Sequence, residues 1–190
     1  MGAIATPKQR RPVPDGAPWC ADNGKFGKGW PGFEPWIDWL DRFSLEHGRA
    51  TCLFATCPDE VGDAAATLEM APWLARIRQV ELPAAFVAQD GCASPGMIPW
   101  GEFDVLFLGG TDEFKLGSEA RYVSMKARER GVPVHMGRVN SYKRMAYARS
   151  IGCSTADGTF LKFSPANLLR IMVWYDKLGL DNFAGFDPLT

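Results

Sequence analysis

The strongest constraint on this chain is a succession of short apolar runs separated by helical stretches. The runs at residues 51–58, 84–89, 105–109 and 134–139 are apolar on consecutive positions rather than alternate ones. A strand of that kind has no solvent face, as expected of a parallel sheet covered on both sides. Residues 2–6 and 18–22, and more weakly 154–158, complete a set of candidate strands. Between them, residues 34–47 carry Trp36, Ile37, Leu40 and Phe43 at helical spacing, and residues 63–80 carry Leu68, Trp73, Leu74 and Ile77. Residues 118–130, 141–151 and 165–178 are further helices, each followed by a glycine within one residue of its end. Residues 8–17 and 91–101 read as loops. The order implies an α/β fold with right-handed crossovers, either a lean (β/α) barrel or an open doubly wound sheet.

At 190 residues the chain suffices for one cored domain, expected over residues 1–179, with residues 180–190 as a C-terminal arm. The glycines at 24, 27, 29 and 32 lack the spacing of a dinucleotide-binding turn and read as tight-turn residues. No apolar stretch approaches the ~20 residues needed to span a bilayer, and no charged-then-apolar leader opens the sequence, so a cytoplasmic protein without membrane contact is expected. The formal charge of −1 excludes a generally basic polyanion binder and confines any nucleic-acid contact to a local patch. Five cysteines without a Cys-x-x-Cys pair read as reduced, mostly buried thiols; neither a disulfide framework nor a metal site nor a cofactor is expected.

Polar residues fall where the strands run out: Asp22-Asn23, Asp59-Glu60, Gln89-Asp90, Gly109-Gly110, His135 with Arg138 and Asn140, and Asp157. Singly, each Asp or Asn reads as well as a helix cap or turn residue. In a parallel barrel, however, all these ends face one mouth. There is no Gly-x-Ser-x-Gly elbow, and two histidines are too few for a metal cluster; His47 reads as a helix-end surface residue and His135 as a neutral strand histidine. Carboxylates are left to carry chemistry, and two facing one pocket suit glycosyl transfer, one attacking the anomeric carbon while the other manages protons.

The segment Cys20-Ala-Asp-Asn-Gly-Lys-Phe26 resembles the Asp-Ser-Gly-Gly-Phe segment of the tRNA-guanine transglycosylases. Phe54-Ala-Thr-Cys-Pro-Asp-Glu60 resembles their strand ending in an acidic pair, Val87-Ala-Gln-Asp-Gly91 their glutamine-bearing strand, and Leu108-Gly-Gly110 their glycine strand. Val134-His-Met-Gly-Arg-Val139 is similar to their Met-Gly-Val-Gly strand, and Gly152-Cys-Ser-Thr-Ala-Asp157 to the segment ending in their nucleophile. The series keeps the family's order over roughly residues 18–160. The family's Cys-x-Cys-x-x-Cys zinc subdomain is absent, the chain is about half the usual length, and Asn23-Gly24-Lys25 replaces Ser-Gly-Gly. The closer likeness is therefore to the compact phage-type DNA 7-deazaguanine transglycosylases.

That resemblance implies a minimal or irregular TIM-like barrel of mostly parallel strands without an evident eighth strand, whose open side a second copy could cover. It implies exchange of guanine in DNA, flipped or single-stranded, for a 7-deazaguanine such as 7-cyano-7-deazaguanine, in the host cytoplasm if phage-encoded. Asp157 would be the nucleophile and Asp22 the acid/base; Asp59 would bind the N1–H and amine edge of the base. Gln89 and the backbone of Gly109 and Gly110 would read the O6 side. Lys25, Lys28, Lys115, Arg138, Lys143 and Arg144 would meet phosphates, Trp30, Phe33 and Phe114 would stack on bases, and Cys20, Asn23 and His135 would support the site. A base- or glycoside-hydrolysing enzyme and a non-catalytic nucleic-acid-binding module are the competing readings.

Overall fold

In the computed structural model, residues 2–8, 13–27 and 29–180 are described. Lys28 and nearly all of the expected C-terminal arm therefore lie outside the described residues. Seven strands, β1 (Ala3–Ala5), β2 (Trp19–Ala21), β3 (Cys52–Thr56), β4 (Ala84–Ala88), β5 (Val105–Leu108), β6 (Val134–Met136) and β7 (Thr155–Ala156), form one sheet in sequence order. Every neighbouring pair is parallel. This is the strand order of a (β/α) barrel, here curled and open: no eighth strand joins β7 to β1 among the described residues.

The consecutive apolar residues bury both faces, as expected: all five residues of β4 and all four of β5 are buried. Successive side chains alternate between the two faces. Trp19, Ala55, Phe86, Leu106 and Met136 point outward into the layer shared with the helices. Cys20, Phe54, Ala85, Val87, Val105 and Phe107 fill a smaller inner core, with Ile4 packed against it. His135 lies on this inner side, its ring 4.9 Å from Phe54 and 4.7 Å from Phe107.

The helices are α1 (Phe33–His47), α2 (Ala64–Leu68), α3 (Pro72–Gln79), α4 (Asp112–Leu116), α5 (Ser118–Glu129), α6 (Tyr142–Ser150) and α7 (Ala166–Lys177). The stretch at 63–80 divides into two because Pro72 has no N–H to continue the first helix and instead opens the second. Helix α4 is too short for a periodic signal, but Thr111 caps it by accepting from Phe114 N at 3.2 Å. Trp36 is buried and stacks on Trp39, both in the helix layer. His47 ends α1 with its ring against Phe43. Four of the five cysteines are buried, and Cys153 is half-buried. No helix among the described residues is long and apolar enough to cross a membrane.

Candidate functional site

Two-residue alternation along the strands sets the site. One alternation step beyond Cys20, Phe54, Val87, Phe107, His135 and Thr155 on their strands, the same face presents Asp22, Thr56, Gln89, Gly109, Gly137 and Asp157. All six of these line one cavity of about 90 Å³ at the carboxyl ends of the strands, with Asn23, Phe26, Asp59, Gly110 and Arg138 among its other walls. The lumen is thus capped by a polar layer over an apolar floor.

On one wall, Asp59 is buried and accepts from Asn23 Nδ2 at 3.0 Å and from Gln89 Nε2 at 2.6 Å. Gln89 Oε1 in turn accepts from Gly62 N and Gly110 N, each at 2.9 Å. Asn23 is locked by its own amide, which donates to Thr56 Oγ1, and by its side chain, which donates to Cys57 O, both at 2.9 Å. These bonds fix the orientation of the Asp59 carboxylate. Burial pushes Asp59 up to about 6; the Asn23 bond opposes that rise and the nearby Asp22 charge adds to it.

Across the cavity, Asp157 Oδ1 accepts from Arg138 N at 2.5 Å. Burial raises its pKa, the Arg138 bond works against the rise, the Asp22 charge raises it further, and the Lys115 and Arg138 charges lower it. Asp22 accepts from Gly24 N at 2.7 Å and is likewise raised by burial. Three acids, each held above the ordinary carboxylate range and coupled through Asp22, therefore share one space. Such an arrangement marks a functional site better than a structural one, since burying carboxylates without a cation in contact destabilises the fold.

Arg138 has the left-handed φ of 62°, which is strained for a side chain of its kind. It is held there by bonds from several directions. Its N–H meets Asp157, its carbonyl accepts from Arg144 Nη1 at 3.3 Å, and its guanidinium donates to Gly110 O. The guanidinium also lies 4.6 Å over the ring of Phe26. The preceding carbonyl, Gly137 O, accepts from Lys115 Nζ at 3.4 Å.

Asp22, Asp59, Gln89, Gly109, Gly110, Arg138 and Asp157 are thus brought together. Two expected backbone contacts need correction. Gly109 N already donates to Ala88 O at 3.0 Å and Gly110 N to Gln89 Oε1, so neither amide is free for a ligand. What these glycines contribute is room: a Cβ on Gly109 would lie 2.6 Å from Val87 Cγ1, and one on Gly110 would lie 2.4 Å from Phe114 Cδ1. Lys115 is corrected as well. Its side chain is buried, 3.5 Å from Asp112 Oδ1 and bonded to Gly137 O, so it does not meet solvent or a phosphate. Burial lowers its pKa to about 8.

Phe114 is buried in the core rather than exposed on a mouth loop. Phe33 stacks on Trp73 at 4.6 Å and Trp30 packs edge-on against Phe33, away from the cavity. Lys25 sits at the rim, paired with Glu60 Oε2 at 2.6 Å. Arg144 is paired with Asp112 at 2.5 Å, and Lys143 is exposed on α6 outside the cavity. Cys20 and His135 lie in the layer beneath the acids, where burial pushes the thiol up and His135 down to about 3.

Phe26, Thr56 and Gly137 are cavity residues to which the sequence assigned no role. Phe26 alone had a usable signal, an isolated aromatic in a Gly/Lys-rich loop after an acid. A scan against protein-family models finds no match for this chain, and a search of curated proteins likewise finds none.

Proposed function

We propose that this chain is a base-exchanging transglycosylase that replaces guanine in DNA with a 7-deazaguanine. The observation that carries the reading is the convergence of Asp22, Asp59 and Asp157 on one cavity from three separate strand ends. An Asp157 carboxylate oxygen attacks C1′ as the bond from C1′ to N9 breaks, giving a glycosyl ester. Asp22, whose raised pKa suits it to hold a proton, delivers that proton to the departing base. The incoming base loses its N9 proton to Asp22, N9 attacks C1′, and the ester bond to Asp157 breaks. Two inversions retain the configuration at C1′.

Base recognition falls to the opposite wall. The Asp59 carboxylate can accept both N1–H and the exocyclic amine of a guanine-type edge. Gln89 Nε2 has a second hydrogen beyond the one given to Asp59, and this is the donor for O6. The exposed ring of Phe26 at the rim offers a stacking face. A guanine inside a duplex cannot reach such a recess, so the nucleotide must be flipped or single-stranded.

The test is incubation of the protein with DNA carrying labelled guanine, with and without 7-cyano-7-deazaguanine. Release that depends on the deazapurine supports exchange. Release without it would replace this reading with hydrolysis, and no release under either condition would leave only binding.

A further inference from the structure

Charge is distributed unevenly along this chain. Residues 138–180 hold seven Lys and Arg against two Asp, whereas the whole protein carries a formal −1. Of these cations, Arg138 is engaged at the cavity and Arg144 is paired with Asp112. Lys143, Arg149, Lys162, Arg170 and Lys177 have no ion pair among the described residues. A shallow groove runs between the start of α6 and the outer side of α7, lined by Tyr142, Leu169, Arg170, Val173, Trp174 and Lys177. It combines two aromatic rings with two unpaired cations.

The groove is joined to the catalytic cavity by a short path. Three residues beyond Asp157, Phe160 opens a 3-10 turn (Phe160–Phe163) that leads into α7. Phe160 N donates to Asn140 Oδ1 at 3.0 Å, and its ring stacks on Trp174 at 4.7 Å. Tyr142 also meets Trp174, edge-on at 6.4 Å. On the same turn Lys162 is exposed and Phe163 is 78% exposed, the most open large apolar side chain described. Neither has a packing reason to face water.

We propose that this groove and the adjoining turn bind a nucleic-acid strand. Arg170, Lys177, Lys162 and Lys143 meet consecutive phosphates, and Phe163 and the aromatic wall of the groove receive unstacked bases. A cationic track interleaved with aromatic faces is the arrangement that holds single strands without reading their sequence. An apolar protein partner would be poorly served by four unpaired cations, whereas a polyanion is matched by them. The surface deepens the transglycosylase reading, on which it rests for its purpose, by assigning the strand that flanks the target nucleotide to α7. Binding itself needs no turnover.

The experiment is fluorescence anisotropy with a labelled single-stranded DNA oligonucleotide, repeated with RNA of the same sequence, over a salt series. Arg170→Gln with Lys177→Gln should weaken binding at least tenfold at low salt and flatten the log–log salt slope by about 1.4, the change expected for two lost phosphate contacts. Phe163→Ala, which removes little packing because the ring is 78% exposed, should weaken it about fivefold or more. Asp157→Asn should bind like the wild type while losing exchange, so binding and chemistry fail separately. If wild-type exchange is absent but the Gln pair still weakens binding, the groove stands and the pocket reading falls. Unchanged affinity and slope in the Gln pair would overturn the proposal. So would a dimer that Leu169→Asp splits without altering DNA affinity, since the face would then be an interface between copies.

Discussion

Replacing Asp59 with Asn isolates the energetic state of the proposed recognition wall. Folding moves this carboxyl from its ordinary 3.8 to about 6, a displacement that corresponds to about 3 kcal/mol. Between those two values the folded chain holds a proton that the unfolded chain has released. Stability therefore declines as pH rises. The contribution is fully present below 3.8 and is lost as pH passes through about 6. An Asn has no such titration. It also carries amide hydrogens toward Asn23 Nδ2 and Gln89 Nε2, which are donors themselves, and this mismatch adds an offset independent of pH. Asp22 titrates in both proteins, so its own contribution cancels to first order. The informative quantity is the change with pH: from about pH 3.5 to about pH 7.5 the variant should gain about 3 kcal/mol on the wild type. Urea unfolding across that range measures it. Parallel stability curves for the two proteins would refute the reasoning, because Asp59 would then ionise alike in folded and unfolded chains. The same proton should appear in binding. A guanine-type edge offers two donors and pairs only with the ionised carboxylate, so base affinity should fall roughly tenfold per pH unit below the folded pKa.

Asp157→Asn should give no covalent DNA adduct on a denaturing gel and keep the wild-type melting temperature or exceed it, since a half-buried carboxylate is removed; an adduct of undiminished yield would take Asp157 out of the chemistry. Arg138→Gly and Arg138→Ala both lose the Phe26 and Gly110 contacts, but glycine relieves the left-handed backbone and should be about 1 kcal/mol the more stable by thermal unfolding, with equal loss of exchange. Equal stability of the two would mean that position 138 carries no strain. Gly109→Ala places a Cβ 2.6 Å from Val87 Cγ1 and 2.9 Å from Gln89 Nε2. It should destabilise the fold by about 1–3 kcal/mol and weaken base binding through Gln89; a calorimetric scan and a base titration check the two effects separately.

The strands were legible because burial on both faces leaves a one-dimensional mark: Ala84 to Ala88 and Val105 to Leu108 are apolar at every step. The acids were legible for a related reason, since a polar residue ending an apolar run must sit at a strand terminus, and parallel strands share that end. What the sequence could not carry is pairing between distant segments. Lys115 reads as a surface cation until Gly137, 22 residues later, comes to lie above it. Nor does the sequence show that Asp112, 32 positions away, pairs with the Arg144 guanidinium. The amides of Gly109 and Gly110 were expected to face a ligand, and only the fold reveals that Ala88 O and Gln89 Oε1 already accept from them. The contact of Phe26 was hidden for the same reason, because its partner Arg138 reaches it from a loop over a hundred residues away in the chain.

An acidic recess and the proposed polyanionic substrate are at odds, and the placement of charge on this chain offers a resolution. Phosphates are repelled by ionised carboxylates, yet Asp59 is buried and Asp22 and Asp157 are half-buried, so all three are set back inside the recess. The cations that would hold a backbone lie outside it, from Lys143 on α6 through Lys162 to Arg170 and Lys177 on α7. A strand docked there keeps its phosphates among cations, while only a neutral base needs to pass the rim at Phe26 and Arg138. Above the folded value of about 6 Asp59 is already ionised, so the two N–H donors of a base edge meet a ready acceptor, and it is the acid side of the range that closes the recess to the base.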